Sequence, residues 1–347
     1  MDEFFESMIM EELKEKQSWD LEKKIEYAKM KIEEFVNVLG GEDKCFISFS
    51  GGKDSTVLLH LVRSVYPNME AVFFNTGLEF PEVIEFVKTI DNVTWLTPKK
   101  RVNEVWKNYG VPAVSKEVSS YIHDVRNSTE KMVEKRLNYR NSYSLPKKWI
   151  HLTDEEFTPY PISNKCCQYF KKDLSHNFVK ETGKSAIVGT MAEESQLRKN
   201  SWIRHSCNMF DGKIKQSRPL SIWIEKDIWD YIEKYDLDIC KLYYEGHDRL
   251  GCFLCPFGAH LEDARTGTNR FEILKEQHPN QYKALEKLGV KQVLLDMGVP
   301  IRNDEEYMEK LKQRKFEVEN WYIKVGNDIA LNGEKSKYWK YHKYFED

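Results

Sequence analysis

Long apolar runs are absent from this sequence. Its 347 residues contain no stretch that approaches the roughly 18 apolar residues typical of a membrane-spanning helix. The first residues, Met1–Glu6, are acidic and lack the basic and apolar segments of a secretory signal. These absences predict a cytoplasmic protein that does not associate with a membrane.

Cysteine is scarce, and its number is odd. Only seven cysteines are present, and four of them form two close groups, Cys166-Cys167 and Cys252 with Cys255. Clustered cysteines without a secretory signal are more typical of metal ligation than of a disulfide framework. We interpret Cys45 and Cys240 as core residues.

An excess of one charge is also missing, since acids and bases nearly balance at a net charge of −3. Any surface for a polyanion must therefore be local. Residues 99–148 form such a stretch, with twelve basic residues against five acidic ones. The basic residues are Lys99, Lys100, Arg101, Lys107, Lys116, Arg126, Lys131, Lys135, Arg136, Arg140, Lys147 and Lys148. Tyr139, Tyr143 and Trp149 lie among them and offer rings for base stacking, so the stretch predicts a nucleic-acid surface, with solvated helix faces as the alternative.

Short apolar runs alternate with helical patterns in the middle of the chain. The runs cover residues 45–49, 71–74, 93–96 and 185–189. Strands that alternate with helices form a mostly parallel, doubly wound sheet of the α/β class. Such sheets bind ligands beyond the carboxyl ends of their strands.

The six residues Ser50-Gly51-Gly52-Lys53-Asp54-Ser55 follow the first of these strands and open a helix. Two glycines allow the backbone to turn tightly beside an anion, and successive amide N–H groups at a helix start bind that anion. Lys53 adds a charge for a phosphate, Ser50 and Ser55 add hydroxyls, and Asp54 can hold Mg²⁺. The spacing differs from the Walker loop. We predict a phosphate grip for a nucleotide, with an ordinary Gly-rich corner as the alternative.

The cysteine spacing predicts a metal centre. Cys252 and Cys255 are two residues apart and precede Pro256, a pattern that directs both sulfurs to one centre. Four thiolates suit either Zn²⁺ or a [4Fe–4S] cluster. The adjacency of Cys166 and Cys167 favours the cluster, because neighbouring side chains reach different irons more readily than two corners of one small tetrahedron. Zinc and unliganded thiols are the alternatives.

These features suggest three parts along the chain. Residues 1–40 have apolar groups at helical spacing and form a helical leader. Residues 41–265 form the nucleotide-binding domain, with the cluster-binding cysteines and a basic insert at about 99–150. Residues 266–347 form a helical C-terminal extension. A hydrophobic content of 41% is sufficient for a sizeable core.

The phosphate loop resembles the Ser-Gly-Gly-x-Asp-Ser signature of the PP-loop ATP-pyrophosphatase superfamily. Within it, the chain resembles the phosphoadenylyl-sulfate (PAPS) and adenylyl-sulfate (APS) reductase family over about residues 40–260. The motifs that carry this resemblance are Phe49–Ser55, Asn75–Glu82, and Gly189–Ser195 with Arg198.

The cysteines make the resemblance more specific to one branch of the family, whereas one residue differs from the family pattern. A Cys-Cys pair followed by Cys-x-x-Cys-Pro is similar to the iron–sulfur branch of the family, the APS-type enzymes. Met191 stands where the family commonly has an arginine, which weakens the expectation of specific sulfonucleotide recognition.

The resemblance implies an adenine nucleotide alpha hydrolase-like fold that binds ATP, or APS or PAPS, together with Mg²⁺. The phosphates would lie on residues 50–55 and the adenosine near 74–78. The residues implied to bind the nucleotide are Ser50, Gly51, Gly52, Lys53, Ser55, Asn75, Thr76, Gly77, Gly189 and Arg198. Lys53 and Asp54 are the implied catalytic residues, acting through position and charge.

The reductases of this family use a cysteine near the C-terminus as nucleophile, and a thioredoxin-type partner releases the product. No cysteine follows Cys255 in this sequence. Reduction by that mechanism lacks its nucleophile unless Cys207 or Cys240 substitutes. Arg204 and His205 favour a lowered pKa at Cys207, although an isolated cysteine is more often a buried core residue.

A PP-loop and a cluster without that thiol resemble the ATP-dependent enzymes that thiolate tRNA, and the DNA phosphorothioation sulfurtransferase. In those enzymes ATP activates an acceptor oxygen as an adenylate and releases pyrophosphate, while the cluster or a persulfide supplies sulfur. We therefore predict ATP-dependent sulfur transfer to a nucleic acid, with a cysteine desulfurase as partner. The alternatives are a PAPS/APS reductase that produces sulfite and a non-catalytic nucleotide- or redox-sensing subunit.

Overall fold

The computed structural model describes residues 3–138, 141–212, 214–262 and 267–346. The chain divides into two compact units, and each unit is made of two separate stretches. The first unit comprises Met1–Pro98 and Lys171–Gly251, and the second comprises Lys99–Phe170 and Cys252–Asp347. The helical leader therefore belongs to the first unit, whereas the basic insert and the four clustered cysteines belong to the second.

A six-stranded sheet forms the framework of the first unit. Its strands are β1 (Cys45–Phe49), β2 (Ala71–Phe74), β3 (Val93–Leu96), β4 (Ser185–Val188), β5 (Asn208–Met209) and β6 (Gln216–Ser217). They lie in the order β3-β2-β1-β4-β6-β5, and every neighbouring pair is parallel except β5 with β6. The predicted α/β class with a mostly parallel sheet is confirmed. The antiparallel pair is not predicted, because two-residue strands carry no periodicity.

Helices account for most of the remaining described residues. In chain order they are α1 (Glu3–Gln17), α2 (Leu21–Leu39), α3 (Lys53–Arg63), α4 (Pro81–Lys88), α5 (Val102–Tyr109), α6 (Lys116–Asn127), α7 (Glu130–Leu137), α8 (Lys165–Cys167), α9 (Asp173–Thr182), α10 (Gln196–His205), α11 (Glu225–Lys234), α12 (Arg270–Gln277), α13 (Pro279–Lys287), α14 (Val290–Asp296) and α15 (Glu305–Asn332). The helical character predicted at both ends of the chain is confirmed. In the part of the chain that is described, no helix is both long enough and apolar enough to cross a membrane.

The leader is two helices rather than the single helical pattern that its apolar spacing predicts. The helical pattern is interrupted at Asp20. Its carboxylate accepts a hydrogen bond from the backbone N–H of Lys23 at 2.9 Å and thereby caps the start of α2. Gly40 closes α2 in a left-handed conformation, with φ of 93°. The apolar face of α2 is buried through Ile25, Ala28, Ile32, Phe35 and Val36.

A buried ion pair joins the leader to α11. Lys24 Nζ lies 2.6 Å from Asp227 Oδ2, and the side chains are only 1% and 9% exposed. The same carboxylate oxygen accepts from the backbone N–H of Ile224 at 2.7 Å. Removing the lysine would leave a buried carboxylate without its counter-charge.

The core beneath the sheet explains why β1 lies next to β4. Phe46 of β1 and Ala186 of β4 are register partners, and both pack with Val72 and Phe178 in one buried cluster. The rings of Phe46 and Phe178 meet edge to face, with centroids 5.0 Å apart. Helix α9 is thereby held against the sheet, and the carboxyl ends of β1, β2 and β4 are left for the connecting loops.

The second unit is helical. Among its described residues, the only strand-like pairing is an isolated parallel bridge between Val111 and Ile162. Asp296 anchors part of its interior: its carboxylate accepts from Arg314 Nε at 2.5 Å, and its backbone carbonyl lies 3.0 Å from His151 Nε2. This unit therefore depends on helix packing and buried polar links rather than on a sheet.

Candidate functional site

The phosphate loop lies in the first unit, between the end of β1 and the start of α3, as the sequence predicts. Gly51 has φ of 72°, and a Cβ there would lie 2.8 Å from Val83 Cγ1. Glycine is required at this position for both conformation and space. Gly189, at the end of β4, also admits no side chain, because its Cβ would lie 2.9 Å from the carbonyl oxygen of Asp54. The start of α3 is therefore packed closely against the end of β4.

The two loop serines brace the turn. Ser55 Oγ accepts from the backbone N–H of Ser50 at 3.2 Å and donates to the carbonyl of Gly52 at 2.9 Å. The two hydroxyl oxygens are 3.0 Å apart. These bonds hold the loop in its turn at the carboxyl end of β1.

The Lys53 side chain is enclosed by residues for which the sequence shows no motif. Its ammonium is 3.2 Å from Glu225 Oε1 and 3.3 Å from the carbonyl of Asp248, to which it donates. It also lies 5.6 Å from the ring centroid of Trp229 and 5.3 Å from that of Tyr243. The charge that the sequence predicts for a phosphate is therefore paired within the first unit in this structure.

Tyr243 also contacts the backbone of the loop. Its hydroxyl oxygen accepts a hydrogen bond from the N–H of Lys53 at 3.0 Å, in the first turn of α3. Burial raises the pKa of Tyr243, so the hydroxyl stays neutral. Tyr243 is 190 residues away from Lys53 in sequence. No local spacing could have identified it.

The Asp54 carboxylate has the features of a ligand-binding group. Its Oδ1 is buried and, within the described residues, has no hydrogen-bond partner. Burial raises the pKa of Asp54, whereas the charges of Lys53, Arg198 and Arg249 lower it. A buried carboxylate oxygen without a partner is suited to a cation or to a donor from a ligand.

The second sequence motif forms a compact turn after β2. Asn75 Oδ1 accepts from the N–H of Gly77 at 2.9 Å, and Thr76 Oγ1 donates to Glu79 Oε1 at 2.7 Å. Gly77 has φ of 76°. This turn lies at the carboxyl end of β2, beside β1 in the sheet, where nucleotides bind to such folds.

The third motif places Arg198 near enough to Asp54 for their charges to interact. Ser195 caps α10 by accepting from the N–H of Arg198 at 3.3 Å, and the guanidinium of Arg198 pairs with Glu194. Burial lowers the pKa of Arg198, and the charge of Asp54 raises it. Met191, which stands at the position of the expected arginine, is 4% exposed. The thioether is thus packed inside and offers no charge to a ligand.

All four clustered cysteines lie in the second unit, and their thiols influence one another. Burial, together with the neighbouring thiols of Cys252, Cys167 and Cys255, raises the pKa of Cys166 to about 12. Burial also raises the pKa of Cys255 to about 11, with Arg270 acting in the opposite direction. Within the described ranges, no three or more His, Cys, Asp or Glu side chains converge to hold a metal ion. The ligand set therefore stays a prediction.

The other three cysteines are core residues. Cys45, Cys207 and Cys240 are 1%, 0% and 1% exposed. Burial raises the pKa of Cys207 to about 12, so the lowered value that its basic neighbours suggested is wrong. Burial raises the pKa of Cys45 and of Cys240 as well. All seven cysteines are described, and none forms a disulfide.

The basic insert is partly structural. Arg126 donates to the backbone carbonyls of Leu152, Tyr160 and Thr158, and Arg136 pairs with Asp124 at 2.8 Å. Trp149 is 6% exposed, so it offers no ring for stacking, whereas Tyr143 is 57% exposed. Tyr139 and Arg140 lie outside the described residues. Lysines of the insert remain exposed: Lys99, Lys100, Lys107, Lys131 and Lys135 are among them.

Comparison with known proteins assigns a family to this arrangement. The family model for the phosphoadenosine phosphosulfate reductase domain matches residues 44–131 and 116–257. An adenosine 5'-phosphosulfate reductase of Staphylococcus haemolyticus is 25% identical over 226 residues, which cover 65% of this chain and 76% of the relative. The predicted resemblance to this reductase family is confirmed.

Two further likenesses are more distant or only partial. An uncharacterized protein of Methanocaldococcus jannaschii is 25% identical over 218 residues, and the chain spans only 35% of that relative's length. The solved structure of the U34-tRNA thiolase NcsA from Methanococcus maripaludis, with its [4Fe–4S] cluster, has a TM-score of 0.37 at 15% identity and covers 78% of this chain and 80% of that one.

Proposed function

Because the chain belongs to the phosphoadenosine phosphosulfate reductase domain family, we propose that it is a PP-loop enzyme that uses ATP to transfer sulfur to a nucleic acid, with a [4Fe–4S] cluster on Cys166, Cys167, Cys252 and Cys255. The observation that carries the proposal is the burial of every other cysteine. Cys45, Cys207 and Cys240 are at most 1% exposed.

The burial of these three cysteines favours sulfur transfer over sulfonucleotide reduction, because only the reduction needs an accessible thiol nucleophile. A thiol nucleophile must reach its substrate and must ionise. The three remaining cysteines of these 347 residues meet neither condition, because burial excludes them from solvent and raises the pKa of each. Sulfur transfer driven by ATP needs no such thiol, since the nucleotide activates the acceptor and sulfur is delivered by another group.

The cluster is proposed on these four cysteines because both pairs lie in the second unit and Cys166 is influenced by the three other thiols. Zinc on the same four thiolates is the alternative. The guanidinium of Arg270 lowers the pKa of Cys255 and therefore favours its thiolate. When bound, the cluster would supply iron at which sulfur is held for transfer.

The loop residues would act by binding and neutralising phosphate. The amide groups of Gly51 and Gly52 immediately precede α3, where the helix dipole favours an anion. Lys53 would exchange its pairing with Glu225 for the charge of a phosphate. Asp54 Oδ1, buried without a partner among the described residues, would hold Mg²⁺. Asn75, Thr76 and Gly77 would border the adenosine.

A nucleic acid is the proposed acceptor because the basic charge is concentrated in one stretch. Twelve basic residues against five acidic ones occupy residues 99–148 of a chain whose net charge is −3. Exposed lysines of this stretch would bind phosphates without reading a sequence. A cysteine desulfurase is the proposed source of sulfur, because the chain itself offers no accessible thiol outside the four.

The test uses protein purified without oxygen and assayed for iron and sulfide. Incubation with ATP, Mg²⁺ and bulk tRNA or DNA should release pyrophosphate and yield thiolated nucleosides by mass spectrometry. Asp54→Asn should abolish pyrophosphate release and keep the iron. Asp230→Asn, which alters an exposed partner of Lys226 on α11, is the matched control and should keep both. Normal turnover in Asp54→Asn contradicts the assigned role of the loop.

A PAPS/APS reductase is the second candidate, because the relative in S. haemolyticus is an adenosine 5'-phosphosulfate reductase. Incubation with APS or PAPS and reduced thioredoxin distinguishes it. We expect no sulfite. Sulfite formation that requires one of Cys45, Cys207 or Cys240 would replace the first proposal with this one.

A further inference from the structure

Tyr243 brings a hydroxyl group to the start of α3 from a distant part of the first unit. Its oxygen accepts the N–H of Lys53 at 3.0 Å. Lys53 is the first residue of α3, and Gly52 precedes it as the N-cap. The N–H groups of a first helical turn have no acceptor within the helix and are the groups that bind anions. Tyr243 therefore occupies one of these N–H groups and lies beside the others, where the proposed function places a phosphate.

The lack of a side chain at position 52 makes room for this hydroxyl group. A Cβ on Gly52 would lie 3.2 Å from the Tyr243 hydroxyl oxygen, which is closer than most Cβ contacts in proteins. The φ of Gly52 is −84°, a value that any residue adopts. Glycine is therefore favoured at this position by space rather than by conformation, and the Tyr243 hydroxyl is what fills that space.

The segment that carries Tyr243 is firmly packed. Lys241–Tyr243 form a short 3₁₀ turn, and the N–H of Tyr243 donates to the carbonyl of Cys240 at 3.2 Å. Cys240 and Leu242 are 1% and 0% exposed. The ring of Tyr243 meets that of Trp229 on α11 nearly at right angles, with centroids 6.0 Å apart. The hydroxyl group is therefore held beside the loop by the packing of its own segment.

The Glu225 carboxylate, which also contacts Lys53, differs in this respect. It lies 3.2 Å from the ammonium of Lys53, and its side chain is 62% exposed. An ion pair with an exposed partner contributes little stability, so a phosphate can replace this carboxylate on the lysine. Tyr243 carries no negative charge that would repel a phosphate, because burial raises the pKa of its hydroxyl group. We expect an arriving phosphate to displace Glu225 and to leave Tyr243 in place.

The hydroxyl proton of Tyr243 is available to such a ligand. A phenolic hydroxyl group can donate one hydrogen bond in addition to those that it accepts. The oxygen of Tyr243 accepts from the N–H of Lys53, and none of the described residues accepts its proton. A donor that is already fixed beside an anion site loses little freedom when the anion binds.

We propose that Tyr243 is a phosphate-binding residue of the first unit, whose hydroxyl group accepts the N–H of Lys53 and donates its proton to a phosphate oxygen of the nucleotide. The inference rests on the proposed function, because it uses the nucleotide assigned to residues 50–55. Hydrogen bonds to a charged acceptor are stronger than those between neutral groups. The ring of Tyr243 also lies with its centroid 5.3 Å from the Lys53 ammonium. One residue thus contacts both groups of Lys53 that would receive the anion.

The experiment compares the full chain with two tyrosine variants, all purified without oxygen. Tyr243→Phe removes the hydroxyl group and keeps the ring beside Trp229. Tyr244→Phe is the matched control, because Tyr244 is the next residue and is 70% exposed. The measurements are the dissociation constants of ATP with Mg²⁺ and of adenosine, by calorimetry or NMR titration. Urea denaturation gives the stability of each variant without nucleotide.

Tyr243→Phe should weaken ATP binding about 10-fold or more and should leave adenosine binding unchanged, because only ATP carries the phosphates. Tyr244→Phe should match the wild-type protein for both ligands. A tyrosine that only caps α3 would change stability but not the ratio of the two affinities. If Tyr243→Phe has the affinity ratio of the control, the inference is overturned, while ATP turnover by the wild-type protein upholds the proposed function. A wild-type protein that binds ATP no more tightly than adenosine overturns both.

Discussion

The two units of this protein contain different candidate sites, and the sequence encodes the two sites in different ways. The first unit holds a sheet whose strands, turns and helices follow one another within short stretches. The second holds four cysteines on helices and loops from two stretches that are separated by residues 171–251. A site made of consecutive residues can be predicted from spacing, whereas one assembled from distant stretches is known only by its residue types.

The electrostatic setting of the two candidate sites also differs. In the first unit, charged groups surround Asp54, and Lys53 is paired with Glu225. In the second, burial keeps Cys166 and Cys255 protonated, and mutual influence adds to the rise in pKa. We propose that the first site receives an anion. The second would be favoured by a cation that replaces the protons.

The largest expected effect is the complete loss of iron binding in the second unit without any loss of nucleotide binding in the first. Cys252→Ala should abolish iron binding and visible absorption, because three thiolates cannot complete the ligand set, while nucleotide binding in the first unit persists. Cys240→Ala, a buried cysteine of the first unit, is the control and should retain full colour. Iron content and equilibrium binding of ATP check both. Retention of iron in Cys252→Ala contradicts the ligand assignment.

The next effect tests what holds the leader in the first unit. Lys24→Met should lower the free energy of unfolding by about 3–5 kcal/mol, because it leaves the carboxylate of Asp227 buried and unpaired. Urea denaturation measures the change. Lys226→Met breaks an exposed pair with Asp230 and should leave the midpoint unchanged. Equal midpoints for both variants would mean that the buried pair contributes nothing.

A smaller effect tests the glycine corner. Gly51→Ala should lower the free energy of unfolding by about 2–4 kcal/mol, because it adds a clash with Val83 to the strain of a left-handed residue. Gly183→Ala has the same kind of backbone, with φ of 70° and no neighbour within 4 Å, and should cost only about 1–2 kcal/mol. The midpoint temperatures of thermal unfolding show which of the two variants is destabilised more. Nucleotide binding should be lost only in the first.

The smallest effect concerns acid stability, to which both units contribute. Burial lowers the pKa of His60 in the first unit and of His151 in the second from the ordinary value of 6.5. Below pH 6.5 the two histidines are therefore protonated in the unfolded chain but remain neutral in the folded chain. The free energy of unfolding falls as the pH drops from 6.5 towards the lowered pKa values of the folded protein. His151→Gln should flatten this dependence. His176→Gln, at an exposed position, should leave it unchanged, and the reverse result contradicts the account.

The sequence predicted local features well because they depend on nearby residues. The strands at 45–49 and 71–74, the loop after Phe49 and the family follow from periodicity and motif, and the structure and comparisons confirm them. The break at Asp20 was missed because capping acts at one residue within an otherwise continuous pattern.

Distant partners could not be predicted in the same way. The enclosure of Lys53 by Glu225, Trp229 and Tyr243 has no spacing that would reveal it, since these residues come from the other stretch of the first unit. The burial of Trp149 reversed the interpretation of that ring, because an aromatic residue in a basic stretch suits a core as well as a surface. The cysteine ligands and the site residues stay predictions.

The interleaved division of the chain also constrains how it folds during synthesis. Cys166 and Cys167 leave the ribosome before residues 171–251 of the first unit, and Cys252 and Cys255 follow them. Until that later pair has emerged, the earlier cysteines have only each other. Iron delivered to a nascent chain would therefore meet half of the proposed ligand set, so that loading of the proposed cluster would have to wait until the rest of the first unit has been translated.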